Sequence, residues 1–281
     1  MDLAASIALV VALLALGAAY AVRVALQGAV RFARVDAAGS SVLLGHTAME
    51  MAYWALSPVA KALARLGVRA NSITLLSLVL GAGAGVALVG GHFGIGAALS
   101  AVSALGDALD GFVARESNTA SDAGETFDAA VDRYNEFFFL GGLAIYYRAN
   151  ALFLALVLFT LLGSFMVSYA TAKAEALRVD APRGAMRRQE RAVYLTAGVA
   201  LAPFAAAAPR FAQVSIVADV PVIVALLVVA VVANISAVQR LYRIAQLAAI
   251  REQSSDAERA RVAAGRPPSE PDPRGLGTVV R

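Results

Sequence analysis

The sequence has 281 residues, of which 59% are hydrophobic and 16% charged, and its formal net charge is +4. This apolar content is typical of a polytopic membrane protein and exceeds that of a soluble domain. The absence of cysteine excludes disulfides, thiolate nucleophiles and Cys-ligated metals. The basic residues collect at the ends of apolar runs, as lipid contacts and orientation signals do, so we expect no nucleic-acid partner.

The apolar runs predict an all-α polytopic membrane protein with one N-terminal transmembrane helix and a six-helix transmembrane core. Residues 3–22 carry no charge and are long enough to cross a bilayer. No basic segment precedes them and Arg23 follows them, which favours an anchor with its N-terminus outside; a retained or cleaved signal peptide stays open as the alternative. The core spans are expected at residues 75–89, 96–114, 128–147, 150–173, 194–209 and 214–238.

Four segments divide the predicted chain. Residues 1–35 form the N-terminal anchor, and residues 42–69 form an amphipathic juxtamembrane helix. Pro58 is expected to divide this helix or to start its second part. The six-span core occupies residues 70–245. Residues 252–281 are polar and proline-rich, which predicts a disordered cytoplasmic tail after a short helical extension.

The acidic residues of the core fall in two pairs at helical spacing. Asp107 and Asp110 are three residues apart and Asp128 and Asp132 are four apart, so each pair lies on one face of a helix. The segment 116–125 between them is polar and rich in small residues, which suits a turn between two antiparallel helices. Such a hairpin would aim both pairs at one point.

Carboxylates that converge at membrane depth are costly, at roughly 2.5 to 3.5 kcal/mol each on insertion scales. Divalent cations would neutralise them, and ligands that offer only oxygen favour Mg2+ or Mn2+ over zinc. Two such ions would balance the four negative charges and could stabilise both the attacking and the leaving oxygen of a phosphoryl transfer. Gly111 and Ala114 leave room for a phosphate-bearing ligand beside the carboxylates, and the guanidinium of Arg115 can bind its oxygens.

This stretch resembles the signature of the CDP-alcohol phosphotransferase family, D-x2-D-G-x2-A-R-x8-G-x3-D-x3-D. All eight specified positions are present. The resemblance implies an enzyme in which Asp107, Asp110 and Asp128 hold two divalent cations. Asp132 is the expected general base and stays close enough to act as a metal ligand as well.

The nucleotide site is also implied by the resemblance. Asn71 and Thr74 look like the family's Pro-Asn-x-x-Thr element, with Ala70 where proline is usual. This implies that both side chains lie near the nucleotide and its metal, although Asn71 is equally expected as a helix N-cap. The expected nucleotide-binding residues are Asn71, Thr74, Asp110, Gly111, Ala114, Arg115 and Gly124.

A basic segment leads out of the fourth core span and is expected on the same side as the acidic pairs. Its arginines, Arg188 among them, can bind an anionic acceptor, although they could serve only as an orientation signal. The chain is similar here to the inositol-phosphate branch of the family, with Ser168, Lys173 and Arg191 at matching positions. Thr171 and Lys173 stand where that branch has a lysine and an arginine, so we expect a weaker grip on phosphate.

With the spans placed in this way, only Arg148 and Arg210 of the 24 Lys and Arg residues lie in turns on the outer side of the membrane. The positive-inside rule therefore predicts an integral plasma (inner) membrane protein whose active site faces the cytoplasm. The resemblance also implies that the protein is a homodimer.

The predicted reaction moves a phosphatidyl group from CDP-diacylglycerol to a small polar alcohol and releases CMP. The acceptor is inositol phosphate-like or glycerol phosphate, with an uncharged alcohol also open. A choline- or ethanolamine-type enzyme, with diacylglycerol as acceptor, would use the same aspartates. A cation transporter would also need acidic residues in the membrane, but it leaves Gly111, Ala114 and Arg115 unexplained.

Overall fold

A computed structural model describes residues 1–28, 45–179, 186–207 and 219–264. All regular structure in these ranges is α-helical, which confirms the predicted fold class. Five of the helices, α1, α3, α4, α6 and α8 of the series below, are long and apolar enough to cross a membrane, so the chain is an integral membrane protein. The helices of these ranges are α1 (Asp2–Gln27), α2 (Gly45–Arg65), α3 (Ala70–Val89), α4 (Phe93–Glu116), α5 (Asp122–Tyr146), α6 (Ala151–Leu177), α7 (Arg188–Ala207) and α8 (Val220–Ala263).

Helices α3 to α8 overlap the six predicted core spans and form a closed ring. Around the ring α3 packs on α5, α5 on α6, α6 on α8, α8 on α7, α7 on α4, and α4 on α3. Buried side chains such as Leu88, Leu140, Val157, Val199 and Leu226 fill its interior. Lipid tails are as apolar as these side chains, so close packing between helices holds such a ring together.

Helices α4 and α5 were expected to pack as a hairpin, but they have little contact with each other. Helix α3 lies between them and packs against both. Glycine makes this approach possible. A Cβ on Gly85 of α3 would lie 2.6 Å from the carbonyl oxygen of Phe138, and one on Gly142 would lie 2.5 Å from the carbonyl oxygen of Gly85. The backbones of α3 and α5 therefore touch at a place where a methyl group has no room.

The turn between α4 and α5 was predicted correctly, but α5 begins earlier than residue 128. Ser121 is the N-cap of α5, and its Oγ accepts a hydrogen bond of 3.2 Å from the N–H of Gly124. A serine N-cap satisfies one of the free amides of a first turn. Asp128 and Asp132 thus lie inside a formed helix rather than at its first turn.

The juxtamembrane helix α2 is continuous, so the prediction that Pro58 divides it is wrong. A proline inside a helix removes one backbone hydrogen bond, and α2 is nevertheless helical throughout and packs against α4. The rings of Tyr53 and Phe112 meet edge to face with centroids 4.6 Å apart.

The last helix α8 continues to Ala263, so residues 252–263 are helical and not the start of a disordered tail. Two contacts support the extension. The guanidinium of Arg251 donates to the carbonyl of Leu177 at 2.6 Å, and Arg259 lies one turn from Asp256 with 3.9 Å between their charged atoms. Residues 265–281 lie outside the described residues.

The N-terminal helix α1 packs outside the ring against α4 and α7. Asp2 Oδ1 accepts a hydrogen bond of 3.0 Å from the N–H of Ile95 in the first turn of α4. At the other end of α1, the hydroxyl of Tyr20 lies 3.4 Å from Glu50 Oε2 of α2. Polar contacts thus hold both ends of the extra helix.

Candidate active site

Three aspartates meet at the end of the ring where the loop 117–121 joins α4 to α5. Asp107, Asp128 and Asp132 each place a carboxylate oxygen so that all three lie within 4.8 Å of one another. The buried Oδ1 of Asp128 has no hydrogen-bond partner within the described ranges. Oxygen ligands this close, with unused acceptor capacity, fit a hard divalent cation.

The fourth aspartate, Asp110, lies one turn further along α4 and is only 4% exposed. Its Oδ2 accepts a hydrogen bond of 2.5 Å from the hydroxyl of Thr74, which is buried in α3. The helix that separates α4 from α5 therefore also orients the second acidic residue. The predicted set of four carboxylates thus consists of three that converge directly and one that is fixed beside them.

Arg188, in the first turn of α7, reaches into the aspartate cluster. One guanidinium nitrogen lies 2.5 Å from Asp107 Oδ2, and a second pairs with Asp132 Oδ1. The guanidinium thus bridges a carboxylate of α4 and a carboxylate of α5. Its role in binding the acceptor stays a prediction, and in the structure it pairs with two predicted metal ligands.

Arg191, predicted to bind the acceptor, is completely buried. Its Nε and one terminal nitrogen form a bidentate pair with Glu136 of α5, at 2.9 and 3.2 Å. The other predicted acceptor residues lie on α6, where Ser168 is half-buried and Lys173 is exposed. The structure therefore places Arg188 in the cluster and Arg191 one turn further along α7, and it leaves Lys173 at the surface.

Sequence reasoning missed Arg240 of α8. Its Nε is buried and has no hydrogen-bond partner among the described residues, and it feels the charges of Arg191, Arg187 and Glu175. A signal was present in the sequence, because Arg240 follows the stretch 220–239, which carries no charge. A buried arginine nitrogen at the end of such a stretch is a candidate functional group.

The predicted nucleotide residues surround the outer edge of the cluster. Arg115 is exposed; its guanidinium carbon lies 5.1 Å from the centre of the Phe112 ring, and its Nη1 lies 3.1 Å from where a Cβ on Gly111 would stand. Ala114 follows on the same helix and is half-buried. Small residues at 111 and 114 thus leave the backbone of α4 approachable next to a guanidinium.

Asn71 lies in the first turn of α3 and is exposed. The N-cap of α3 is Arg69, without a side-chain cap, so the expectation that Asn71 caps this helix is wrong: the helix already begins at Ala70. The side-chain oxygen of Asn71 lies 3.9 Å from the position of a Cβ on Gly124. Two predicted nucleotide residues from separate helices are therefore neighbours.

The fold and this site define a polytopic membrane protein with a cation-binding acidic centre at one end of a helical ring. Residues 67–232 match the CDP-alcohol phosphatidyltransferase family. The match covers more than half of the chain, and the chain belongs to that family of membrane-embedded phosphotransferases of phospholipid biosynthesis. The predicted family and enzyme class are confirmed, which sets the transporter alternative aside.

Curated relatives agree with this assignment. The chain is 32% identical over 164 residues to a phosphatidylinositol phosphate synthase of Corynebacterium glutamicum, a match that covers 57% of this chain and 75% of the relative. It is 31% identical over 134 residues to an archaetidylinositol phosphate synthase of Methanothermobacter thermautotrophicus, covering 48% and 67%.

Solved structures with the same fold include two of the Mycobacterium tuberculosis phosphatidylinositol phosphate synthase. The structure with CDP-DAG bound aligns with a TM-score of 0.57 at 26% identity and covers 67% of this chain and 92% of that one. The complex with manganese and citrate aligns with a TM-score of 0.58 at 26% identity and covers 67% and 88%. The family match begins at residue 67, so α1 and α2 lie outside it.

Proposed function

We propose that this enzyme transfers a phosphatidyl group from CDP-diacylglycerol to a small alcohol that carries a phosphate, with inositol phosphate as the best match. One observation carries the proposal: a convergent aspartate cluster and a group of buried and half-buried arginines lie on adjacent turns of the same helices. Arg188 belongs to both, because it extends from the helix of Arg191 to Asp107 and Asp132. The names of the relatives point to the same acceptor class.

Divalent cations, Mg2+ or Mn2+, are the proposed cofactors. Asp107, Asp128 and Asp132 would hold them, and Asp110 would join through its position one turn away on α4. The carboxylate oxygens lie within 4.8 Å of one another, and the donor set contains only oxygen, which suits both ions. When bound, such cations neutralise the carboxylates and the diphosphate and make the phosphorus more electrophilic.

Asp132 is the proposed general base. The acceptor hydroxyl oxygen attacks the lipid-side phosphorus of the diphosphate, the bond between that phosphorus and the bridging oxygen breaks, and CMP leaves with the bond's electrons. The hydroxyl proton passes to the carboxylate of Asp132. This residue is 6% exposed and lies one turn beyond Asp128 on α5, so it can approach both reactants from inside the ring.

The nucleotide is proposed to lie over the approachable stretch of α4, with its phosphates near Arg115 and its other contacts at Asn71 and Gly124. Thr74 orients Asp110 through the hydrogen bond that its hydroxyl donates. The acyl chains stay in the bilayer, because the site lies at the end of the spanning helices rather than within a soluble domain. The lipid therefore reacts without leaving the membrane.

We further propose that the site faces the cytoplasm from the plasma membrane, since the positive-inside rule puts the basic α6–α7 connection there. A homodimer is proposed as well. Apolar side chains on the outer face of α5, such as Tyr134 and Phe137, are 58% and 47% exposed and offer a surface for a second copy. Light scattering of the purified protein in detergent measures this stoichiometry.

The test of the proposed function is an acceptor panel. Purified protein in detergent receives CDP-diacylglycerol, Mn2+ and one alcohol at a time, namely inositol phosphate, glycerol phosphate or inositol. A separate reaction contains CDP-choline as the donor and diacylglycerol as the acceptor. CMP release with inositol phosphate is the expected result. Release only with an uncharged acceptor, or only with CDP-choline, would overturn the proposed acceptor. Asp122→Asn, at an exposed acid in the first turn of α5, is the matched control for carboxylate changes.

A further inference from the structure

Two ion pairs connect α5 and α7 across the interior of the ring, although these helices are not neighbours around it. Asp132 pairs with Arg188, and Glu136 pairs with Arg191. Residues 132 and 136 are one turn apart on α5, and residues 188 and 191 are one turn apart on α7, so the pairs form two successive rungs. The first rung belongs to the cluster of metal ligands, and the second lies deeper in the ring.

The second rung is incompletely paired. Glu136 binds Nε and Nη2 of Arg191, while the buried Nη1 of Arg191 has no partner in the described part of the chain. A buried ion pair contributes little net stability compared with apolar residues, and an unpaired buried donor costs free energy. This geometry is therefore poor for stability alone and suitable for a guanidinium that must present one free edge to a ligand.

A second arginine with an incompletely paired guanidinium lies close enough to Arg191 for their charges to interact. Arg240 of α8 also has a buried nitrogen without a described partner, and the charges acting on it come from Arg191, Arg187 and Glu175. The buried Glu190 and the half-buried Arg188 of α7 also belong to this group of charges, and Glu136 is the carboxylate that pairs with Arg191.

We propose that Glu136 is a positioning and specificity residue of the acceptor site. Its carboxylate holds Arg191 by two hydrogen bonds, so that Nη1 remains available to bind the acceptor's phosphate. This inference rests on the proposed function, because it requires a phosphorylated acceptor. It assigns Glu136 no contact with the CDP-lipid.

The test separates the acceptor from the lipid substrate kinetically. Glu136→Gln keeps the length of the side chain but replaces one accepting oxygen with a donor, which opposes an N–H of Arg191. We expect kcat/KM for inositol phosphate to fall by about tenfold or more, with the KM for CDP-diacylglycerol unchanged. Glu125→Gln, at an exposed glutamate on the same helix, is the matched control and should match the wild type.

A double-mutant cycle and a charge swap distinguish positioning from simple stabilisation. Arg191→Gln alone and the double variant Glu136→Gln/Arg191→Gln should lose the same kcat/KM, since Glu136 acts through Arg191. The swapped variant Glu136→Arg/Arg191→Glu restores an ion pair but removes the guanidinium from α7, so it should regain thermal stability without regaining use of inositol phosphate. Recovery of both would show a purely structural pair and overturn the inference.

The outcomes also separate this inference from the proposed function. If the wild type uses inositol phosphate but Glu136→Gln changes both substrates' KM equally, or neither, the inference fails and the proposed function stands. If the wild type uses glycerol phosphate instead and Glu136→Gln selectively impairs that acceptor, the proposed acceptor is wrong and the role of Glu136 stands.

Discussion

Arg188 donates a hydrogen bond of 2.5 Å to Asp107 Oδ2 and pairs at the same time with Asp132. One guanidinium of α7 thus neutralises two carboxylates that also fit a divalent cation. Arg188 and a divalent cation would both bind the carboxylates of Asp107 and Asp132, so their binding equilibria are linked and each weakens the other. We expect a cation at these aspartates to compete with Arg188, and a released Arg188 would be available to an acceptor next to Arg191.

Removal of this competitor should strengthen metal binding. In Arg188→Gln we expect the apparent Kd for Mn2+ to fall by about tenfold, because the carboxylates no longer have an internal counter-ion. A Mn2+ titration followed by electron paramagnetic resonance measures this without any substrate. Arg243→Gln removes an exposed positive charge from α8 and controls for net charge. Unchanged or weaker Mn2+ binding in Arg188→Gln alone would contradict the competition.

The role of Asp132 as general base can be separated from its role as a cation ligand, because asparagine keeps one oxygen that can contact a cation. Asp132→Asn keeps the shape of the side chain but cannot take a proton, so turnover should fall by at least about 100-fold. CDP-diacylglycerol should still bind, as measured by equilibrium binding of the labelled lipid. Asp122→Asn should retain both properties. Turnover within a few-fold of the wild type in Asp132→Asn would remove this residue from the role of base.

The parts of this site that could be predicted from the sequence depend on covalent spacing. Asp107 and Asp110 must share a helix face once α4 forms, and so must Asp128 and Asp132. The apolar runs likewise predicted where the spans lie, since a bilayer demands a minimum length of uncharged helix. Segment boundaries were less accurate, because Ser121 starts α5 early and helix-forming residues carry α8 to Ala263.

The rest depends on which helices are neighbours in space, which spacing does not encode. Nothing in the local sequence shows that α3 separates α4 from α5, or that Glu136 faces Arg191 across the ring. The buried partner of Arg191 was therefore missed, and Arg188 was assigned to the acceptor alone. Arg240 is different, because its charge at the end of an apolar stretch could have been recognised.

The Thr74–Asp110 hydrogen bond should tune the cation site. Thr74→Val has the same shape but no donor, which leaves the buried Asp110 without its 2.5 Å partner and free to turn. We expect the Mn2+ concentration for half-maximal CMP release to rise several-fold, in line with the loss of one hydrogen bond to a charged group. Thr74→Ser retains the hydroxyl and should behave as the wild type. Equal effects of both changes would argue for packing instead.

The contact of α1 with α4 should contribute to stability through Asp2. Its carboxylate accepts from the N–H of Ile95 as an N-cap side chain does, although it comes from another helix. Asp2→Ala should lower the free energy of unfolding by about 1 kcal/mol, measured by thermal unfolding in detergent. Asp2→Asn keeps an accepting oxygen and should retain most of the stability. If the two variants lose the same stability, the hydrogen bond is not the cause.

Close approach of α3 and α5 should make Gly85 sensitive to a single methyl group. A Cβ there would lie 2.6 Å from the carbonyl oxygen of Phe138, and a backbone atom cannot move aside as a flexible side chain can. Gly85→Ala should therefore cost about 1 to 3 kcal/mol and also weaken Mn2+ binding, since α5 carries Asp128 and Asp132. Gly83 is the matched control on the same helix, because a Cβ there would meet only Leu99 at 3.6 Å, an ordinary contact. Thermal unfolding and Mn2+ titration of both variants decide the matter. Equal behaviour of Gly85→Ala and Gly83→Ala would mean that the contact between α3 and α5 does not hold the two aspartates in place.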